Sequence, residues 1–156
     1  MHSIEYKRAD IHDIDLLIDY RVEFLAAYFG PQDKAVEQPF RTEMRSYLEQ
    51  TIPNNTYICY YAVCDNVVAG IGGMVIRQRP GNFINPAGRD GYIMSMYTLP
   101  EYRRRGIAIN IVNLLVKAGK ALGVNVFELH ATEEGEPVYI KDGFKKHREP
   151  TYRKYL

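Results

Sequence analysis

Apolar residues recur with helical spacing early in the chain and with the density of strands in its middle. Either Asp10 or Asp13 can cap a helix in which Ile14, Leu17, Ile18, Leu25 and Tyr28 share one side, and Gly30-Pro31 ends that run. A second amphipathic stretch, from about Pro39 to Gln50, carries Phe40, Met44, Tyr47 and Leu48 on one side and stops at Pro53-Asn54-Asn55. Tyr6 to Arg8 can end a short strand ahead of both helices.

From Tyr57 to Cys64 the chain is aromatic and β-branched, Asp65-Asn66 is turn chemistry, and Val67 to Arg77 resumes as a strand, which predicts an antiparallel hairpin. Gln78 to Asp90 holds Pro80, Gly81, Pro86 and Gly88 with little periodicity and reads as an exposed loop before a strand at Tyr92 to Thr98. After Pro100, Ile107, Ile111, Leu114, Leu115, Ala118 and Leu122 mark a long helix ending at Gly123, and Val124 to Leu129 follows as an apolar strand. Strand, helix and strand in this order predict a right-handed parallel crossover, with the strand C-termini and the helix N-terminus meeting at one ligand-favouring rim. A short helix around Gly135 to Lys141, a turn at Asp142-Gly143 and closing strands from Phe144 onward complete the prediction of one α/β domain over residues 1–156.

Composition narrows the choice without naming a ligand. The 156 residues, 46% apolar and 25% charged, suit one globular domain, and a formal charge of +1 lacks the excess that nucleic-acid binding needs. No apolar run approaches the ~20 residues of a membrane-spanning helix and no signal-like segment opens the chain, so no membrane role and a cytoplasmic location are expected. Cys59 and Cys64 lie on one predicted strand, on opposite faces and about 16 Å apart, which excludes a disulfide between them. Buried packing is the ordinary role of such thiols.

Arg103, Arg104 and Arg105 stand at the entrance of the long helix, where the macrodipole already places positive charge. A phosphate-bearing ligand resolves the conflict, because free N–H groups of the first helical turn and guanidinium groups both bind its oxygens. Gly106 removes a Cβ where backbone and ligand come close. The competing reading is a solvated basic surface with an ordinary helix-entry glycine.

Arg103-Arg104-Arg105-Gly106-Ile107-Ala108 resembles the pyrophosphate loop of the GNAT superfamily of acyl-CoA-dependent N-acetyltransferases: Gln or Arg, two residues, Gly, any residue, Gly or Ala. Tyr139-Ile140-Lys141-Asp142-Gly143-Phe144 is similar to a second motif of that family, and the order of helices and strands extends the resemblance over nearly the whole chain. The resemblance implies a GNAT-like domain: a mixed, mostly antiparallel sheet with a central parallel β-α-β crossover and flanking helices. It implies acetyl-CoA as acyl donor, without a metal. It also implies that Met96, Tyr97 and Thr98 offer backbone groups to the pantetheine arm while the amides of Arg104, Arg105, Gly106, Ile107 and Ala108 hold the pyrophosphate, with Arg103 and its neighbours free to touch phosphate.

Acyl transfer from a thioester to an amine needs a neutral amine, a polarised carbonyl and a proton for the departing thiolate. Tyr139, four residues before Gly143-Phe144, matches the tyrosine that the family uses as acid, and a phenol of ordinary pKa near 10 can protonate a thiolate whose thiol has a pKa near 8.5. Where the family often has an asparagine seven residues earlier, this chain has Thr132, whose hydroxyl can bond the pantetheine or a water. Candidates for the base are Glu23, Glu128, His130 or a water they order, imidazole having the best-matched ordinary pKa, near 6.5.

A non-catalytic acyl-CoA sensor is the alternative that keeps the cofactor. A nucleotide-binding protein is disfavoured because the loop lacks the spacings of the phosphate-binding glycine motifs. An RNA-binding module is disfavoured for want of a basic stripe. The acceptor, a small-molecule amine or a peptide amine, is left open, with Gln78 to Asp90 and the first two helices as its expected wall. The tail Tyr152-Arg153-Lys154-Tyr155-Leu156 is suited to cover a sheet edge of a second copy, in a homodimer.

Overall fold

A computed structural model describes residues 3–156. Strand β1 (Ile4–Arg8) leads through a 3-10 turn (Ile11–Asp13) into helix α1 (Ile14–Phe29). Asp10 and Asp13 divide the capping work: the Asp10 carboxylate accepts from the His12 amide while that of Asp13 accepts from the Asp10 amide. Helix α2 (Lys34–Thr51) follows, then the hairpin β2 (Tyr57–Cys64) and β3 (Val67–Gln78). Its turn residues Asp65 and Asn66 both have positive φ, 50° and 63°, as a primed turn requires. Strand β4 (Arg89–Thr98), helix α3 (Ile107–Ala121), strand β5 (Val126–Leu129) and helix α4 (Glu136–Lys141) complete the order.

The five strands form one sheet in the order β1-β2-β3-β4-β5, antiparallel except for β4 and β5, which pair in parallel at its edge. Side-chain alternation sends the two halves of each strand to different cores. Ile58, Ala62 and Cys64 of β2 join Met74, Ile93 and the buried stripe Ile107, Ile111, Val112 and Leu115 of α3. Tyr57, Cys59 and Tyr61 face the other way, onto Ile14, Leu17 and Ile18 of α1 and Leu48 of α2. Helices on both faces explain why β2 reads as a continuous apolar run. Each fully buried aliphatic side chain here stabilises the fold by about 1.5–3 kcal/mol. Close approach of α3 depends on Gly72 of β3, where a Cβ would stand 2.7 Å from Ile111 Cγ2 and 2.3 Å from Met96 Sδ.

Three expectations are corrected. Helix α2 begins at Lys34, five residues before Pro39, which sits inside it. Pro39 and Ala35 are both exposed, so water can serve the carbonyl that proline's missing N–H leaves free. The predicted loop shrinks to residues 79–88, because Arg77↔Asp90 and Gln78↔Arg89 extend the β3–β4 ladder through charged residues. Asp90, only 1% exposed, is matched there by Arg77 Nε at 2.6 Å and Arg79 Nη2 at 2.5 Å. Finally, no strand forms from Phe144 onward. Phe144 packs on the α3-side core, but the charged run Lys145 to Glu149 has no apolar alternation and Pro150 offers no donor for a ladder.

Candidate active site

The parallel strands part company at a bulge. Pairing of β3 with β4 jumps from Gly73↔Met94 to Ile71↔Tyr97, so Ser95 and Met96 together oppose Gly72, and Ser95 takes φ 57°. Pairing of β4 with β5 runs from Asp90↔Val126 to Ile93↔Leu129 and ends. From Met94 onward the β5-side edge of β4 therefore lacks a strand partner, and Met96, Tyr97 and Thr98 lie on that stretch.

At the same rim the chain turns through Pro100–Tyr102 into α3. Its three arginines have three different environments. Arg103 donates from Nε to the Thr98 carbonyl and from Nη1 to Glu134, each at 3.2 Å. Arg105 lies 5.0 Å over the Tyr102 ring and donates to the Glu101 carbonyl. Among the described residues Arg104 alone of the three is exposed without such a contact. The first helical bond runs from Asn110 N to the Gly106 carbonyl, and among the described residues no protein group accepts from the amides of Arg104 to Ala108. Gly106 is required for its backbone: φ is 78°, and a Cβ there would meet nothing nearer than Asn110 Nδ2 at 3.6 Å. The protein itself does not crowd this glycine on the side where a Cβ would stand.

Tyr139 projects from α4 onto the α3-side core, edge to face with Phe144 at 6.1 Å. Burial raises its phenol pKa, and among the described residues no group hydrogen-bonds its hydroxyl. Thr132 is beside it, since a Cβ on Gly135 would stand 3.3 Å from both Thr132 Oγ1 and Tyr139 Cε2. The Thr132 hydroxyl accepts from the Gly135 amide at 3.2 Å, a bond that organises the turn into α4.

The base candidates occupy the opposite face. Tyr92 pairs with Val75 of the α1/α2-side core and with Glu128 of β5, and its ring meets His130 at 5.6 Å. Glu128 is tied to Arg77 Nη2 at 3.3 Å, and Arg77 lies 4.7 Å over the Tyr92 ring. His130 is exposed and makes no ion pair among the described residues. Glu23, exposed on α1, acts elsewhere: burial first and then its charge raise the phenol pKa values of Tyr20 and Tyr97. Cys59 is buried and its thiol is pushed up to about 12 by desolvation, so it is no nucleophile; Cys64 is buried on the other face. A concavity of about 390 Å³, lined by Arg8, Asp10, Ile52 and Tyr57, opens at the other end of the strands from the arginine loop.

A family model described as the acetyltransferase (GNAT) family matches residues 18–141. The chain belongs to that family. It is similar over 97% of its length to a predicted acetyltransferase from Clostridium acetobutylicum solved with acetyl-CoA, at 28% identity, 96% coverage of that chain and a TM-score of 0.86. A GCN5-related N-acetyltransferase from Ralstonia eutropha shares the fold at 22% identity and TM-score 0.81, covering 97% and 98% of the two chains. So does an aminoglycoside N-acetyltransferase in complex with CoA, at 16% identity and TM-score 0.75, covering 100% and 97%. No curated protein sequence matches. Among the described residues of this GNAT-family chain, no cluster of His, Cys, Asp and Glu could hold a metal ion and no helix is long and apolar enough to cross a membrane.

Sequence reasoning passed over Arg21, Ser95 and Tyr57, which gather at the bulge on the α1/α2 face. A signal was present. Arg21 stands in the apolar stripe of α1, four residues after Leu17 and four before Leu25.

Proposed function

We propose that this chain transfers an acetyl group from acetyl-CoA to an amine by direct attack, with Tyr139 as general acid. The observation that carries this reading is the gap beginning at Met94. Tyr139 packs on the α3 side of the sheet and His130 lies on the α1/α2 side just past the end of β5, and this supports the reading. Proton donor and proton acceptor for a displacement through the gap then approach from different faces. The free amides of Arg104 to Ala108 and the uncrowded Gly106 fit a pyrophosphate, and the unpaired backbone of Met96 to Thr98 fits the amide-bearing arm. The group bound there supplies an activated thioester.

Tyr139 keeps its proton through the neutral range because burial raises its pKa, so it is ready to donate to a leaving thiolate. Thr132 fixes the turn on which it is carried. His130, directly or through a water, takes the proton from the incoming ammonium; Glu128 is held by Arg77, and Glu23 shapes the Tyr20–Tyr97 side. The acceptor is a small-molecule or peptide amine.

Thiol release from acetyl-CoA against an amine panel tests the reading. Expected is amine-dependent release that collapses in Tyr139→Phe while CoA still binds, with the acidic limb of the pH–rate profile altered in His130→Ala. Tight CoA binding without turnover of any amine would make the chain an acyl-CoA sensor. Identical pH–rate profiles in the Glu23, Glu128 and His130 alanine variants would remove all three as bases.

A further inference from the structure

We infer that the acceptor carries an anionic oxygen group, a carboxylate or a phosphate, and that Arg21 holds it on the α1/α2 face of the β4 bulge. This rests on the transfer reading above and narrows its substrate.

Arg21 Nη1 donates to Ser95 Oγ at 2.9 Å, and the guanidinium carbon lies 5.3 Å over the Phe24 ring. Among the described residues those are its side-chain hydrogen bond and cation–ring contact. Among the described residues no carboxylate comes within 4.0 Å of it, although the sheltered arginines Arg41 and Arg77 each contact two: Asp19 and Glu37 for one, Asp90 and Glu128 for the other. Burial accordingly lowers the pKa of Arg21, with only the phenols of Tyr57 and Tyr92 opposing. A half-buried cation without a counter-ion is costly, and a methionine would fill the same place in the apolar stripe of α1 without that cost. A bound anion removes the conflict.

The guanidinium is also available. Of its five N–H groups one is committed to Ser95, and among the described residues none of its nitrogens is a buried polar atom left without a partner, so the nitrogens that lack a partner are not sealed from solvent. The void shared by Arg21, Ser95, Tyr57 and Leu17 is only about 10 Å³, so the anion meets the outer edge of the guanidinium and does not enter the core. Location supplies the link to chemistry. Ser95 lies between Met94 and Met96, where β4 leaves β5, and His130 and Tyr92 lie on the same face. An anion anchored at Ser95 sets its attached amine at the gap, which favours compact acceptors with amine and anion a few bonds apart. Charge also excludes: a polyamine meets an uncompensated like charge at this point.

Kinetics with matched acceptor pairs provide the test: free α-amino acids against their amides, and an amino-sugar phosphate against the amino sugar, with spermidine as a cationic control. The wild type should favour the anionic member of at least one pair by about tenfold or more in kcat/KM, and the favoured pair identifies carboxylate or phosphate. Arg21→Met should erase the preference with CoA affinity unchanged, and Arg21→Lys, which keeps charge but loses the planar fork, should retain part of it. Equal kcat/KM within a pair for the wild type, or a preference that survives in Arg21→Met, overturns the inference. A second arm needs no turnover. Acetate and inorganic phosphate titrated into the CoA-bound protein should shift the Arg21 Nε–H NMR resonance saturably with at least one of them, and no saturable shift with either overturns it. Anion binding at Arg21 without transfer to any amine sinks the transfer reading alone; transfer without anion preference sinks this inference alone.

Discussion

The loop that opens α3 and the wall beyond the β4 bulge are built from different materials. At the loop, the backbone amides of Arg104 to Ala108 have no protein acceptor among the described residues, and two of the three arginine side chains are occupied in holding the turn together. On the α1/α2 face side chains from α1, β3, β4, β5 and the β3–β4 loop are joined as Arg21–Ser95 and as Arg79–Asp90–Arg77–Glu128. Amides are the same in every residue, so a loop built from them tolerates side-chain variation but not a wrong backbone angle. A wall of side chains has the reverse sensitivity. That difference suits the proposed transfer, with a donor held by backbone and an acceptor chosen by side chains.

Gly106→Val strikes the comparison hardest. A β-branched residue at φ 78° is strained, and the loop must abandon the geometry that aims its amides outward. CoA affinity measured by calorimetry should fall by on the order of 100-fold or more, with the circular dichroism spectrum retained. Normal binding would mean that the amides do not hold the ligand. Next in size is Tyr139→Phe, which should lower kcat by about 100-fold without changing CoA affinity. Because burial raises the phenol pKa, the acid is present below its ordinary value near 10 and is lost only as pH rises past it; the alkaline limb of kcat belongs above about pH 10. A limb near pH 8 would assign the proton to another group.

Asp90→Ala tests the wall as structure. The carboxylate is 1% exposed and faces two guanidinium groups, so its loss leaves Arg77 half-buried with Glu128 alone. Stability should drop by about 2 kcal/mol, read by urea denaturation, with CoA affinity unchanged. Unaltered stability would show that Arg77 and Arg79 are satisfied without their buried partner.

These contrasts also explain what the sequence made legible. Residues whose role is conformational announce themselves singly: Asp65-Asn66 as a primed turn, Gly30 after α1, and Gly106 before α3. Ile14, Leu17 and Ile18 of the α1 stripe and Ile107, Ile111 and Leu115 of the α3 stripe are buried in the two cores, whereas Tyr28, read into the same α1 stripe, is exposed near the helix end. Residues whose role is relational did not show. Asp90 looks like a loop residue until the β3–β4 hairpin pairs it with Arg77, and Arg21, though it interrupts the apolar stripe of α1, has no visible partner until Ser95, far along the chain, turns through its bulge. Pro39 misled because a missing N–H ends a helix only where its carbonyl partner is shut away from water, and Ala35 is exposed.

The smallest effect separates charge from backbone within the loop itself. Arg104 is exposed and has positive φ, 60°, so the residue contributes a cation near the ligand side while holding a left-handed turn that suits glycine better. Arg104→Ala removes the charge and keeps the strain; it should weaken CoA binding by about threefold at low salt, and less at high salt, as an exposed ion pair does. Arg104→Gly removes the same charge and relieves the turn, so its affinity should return toward the wild type. Equal losses in the two variants would make the loop an electrostatic patch, whereas recovery in the glycine variant alone means that the amides bind and the arginine reinforces them.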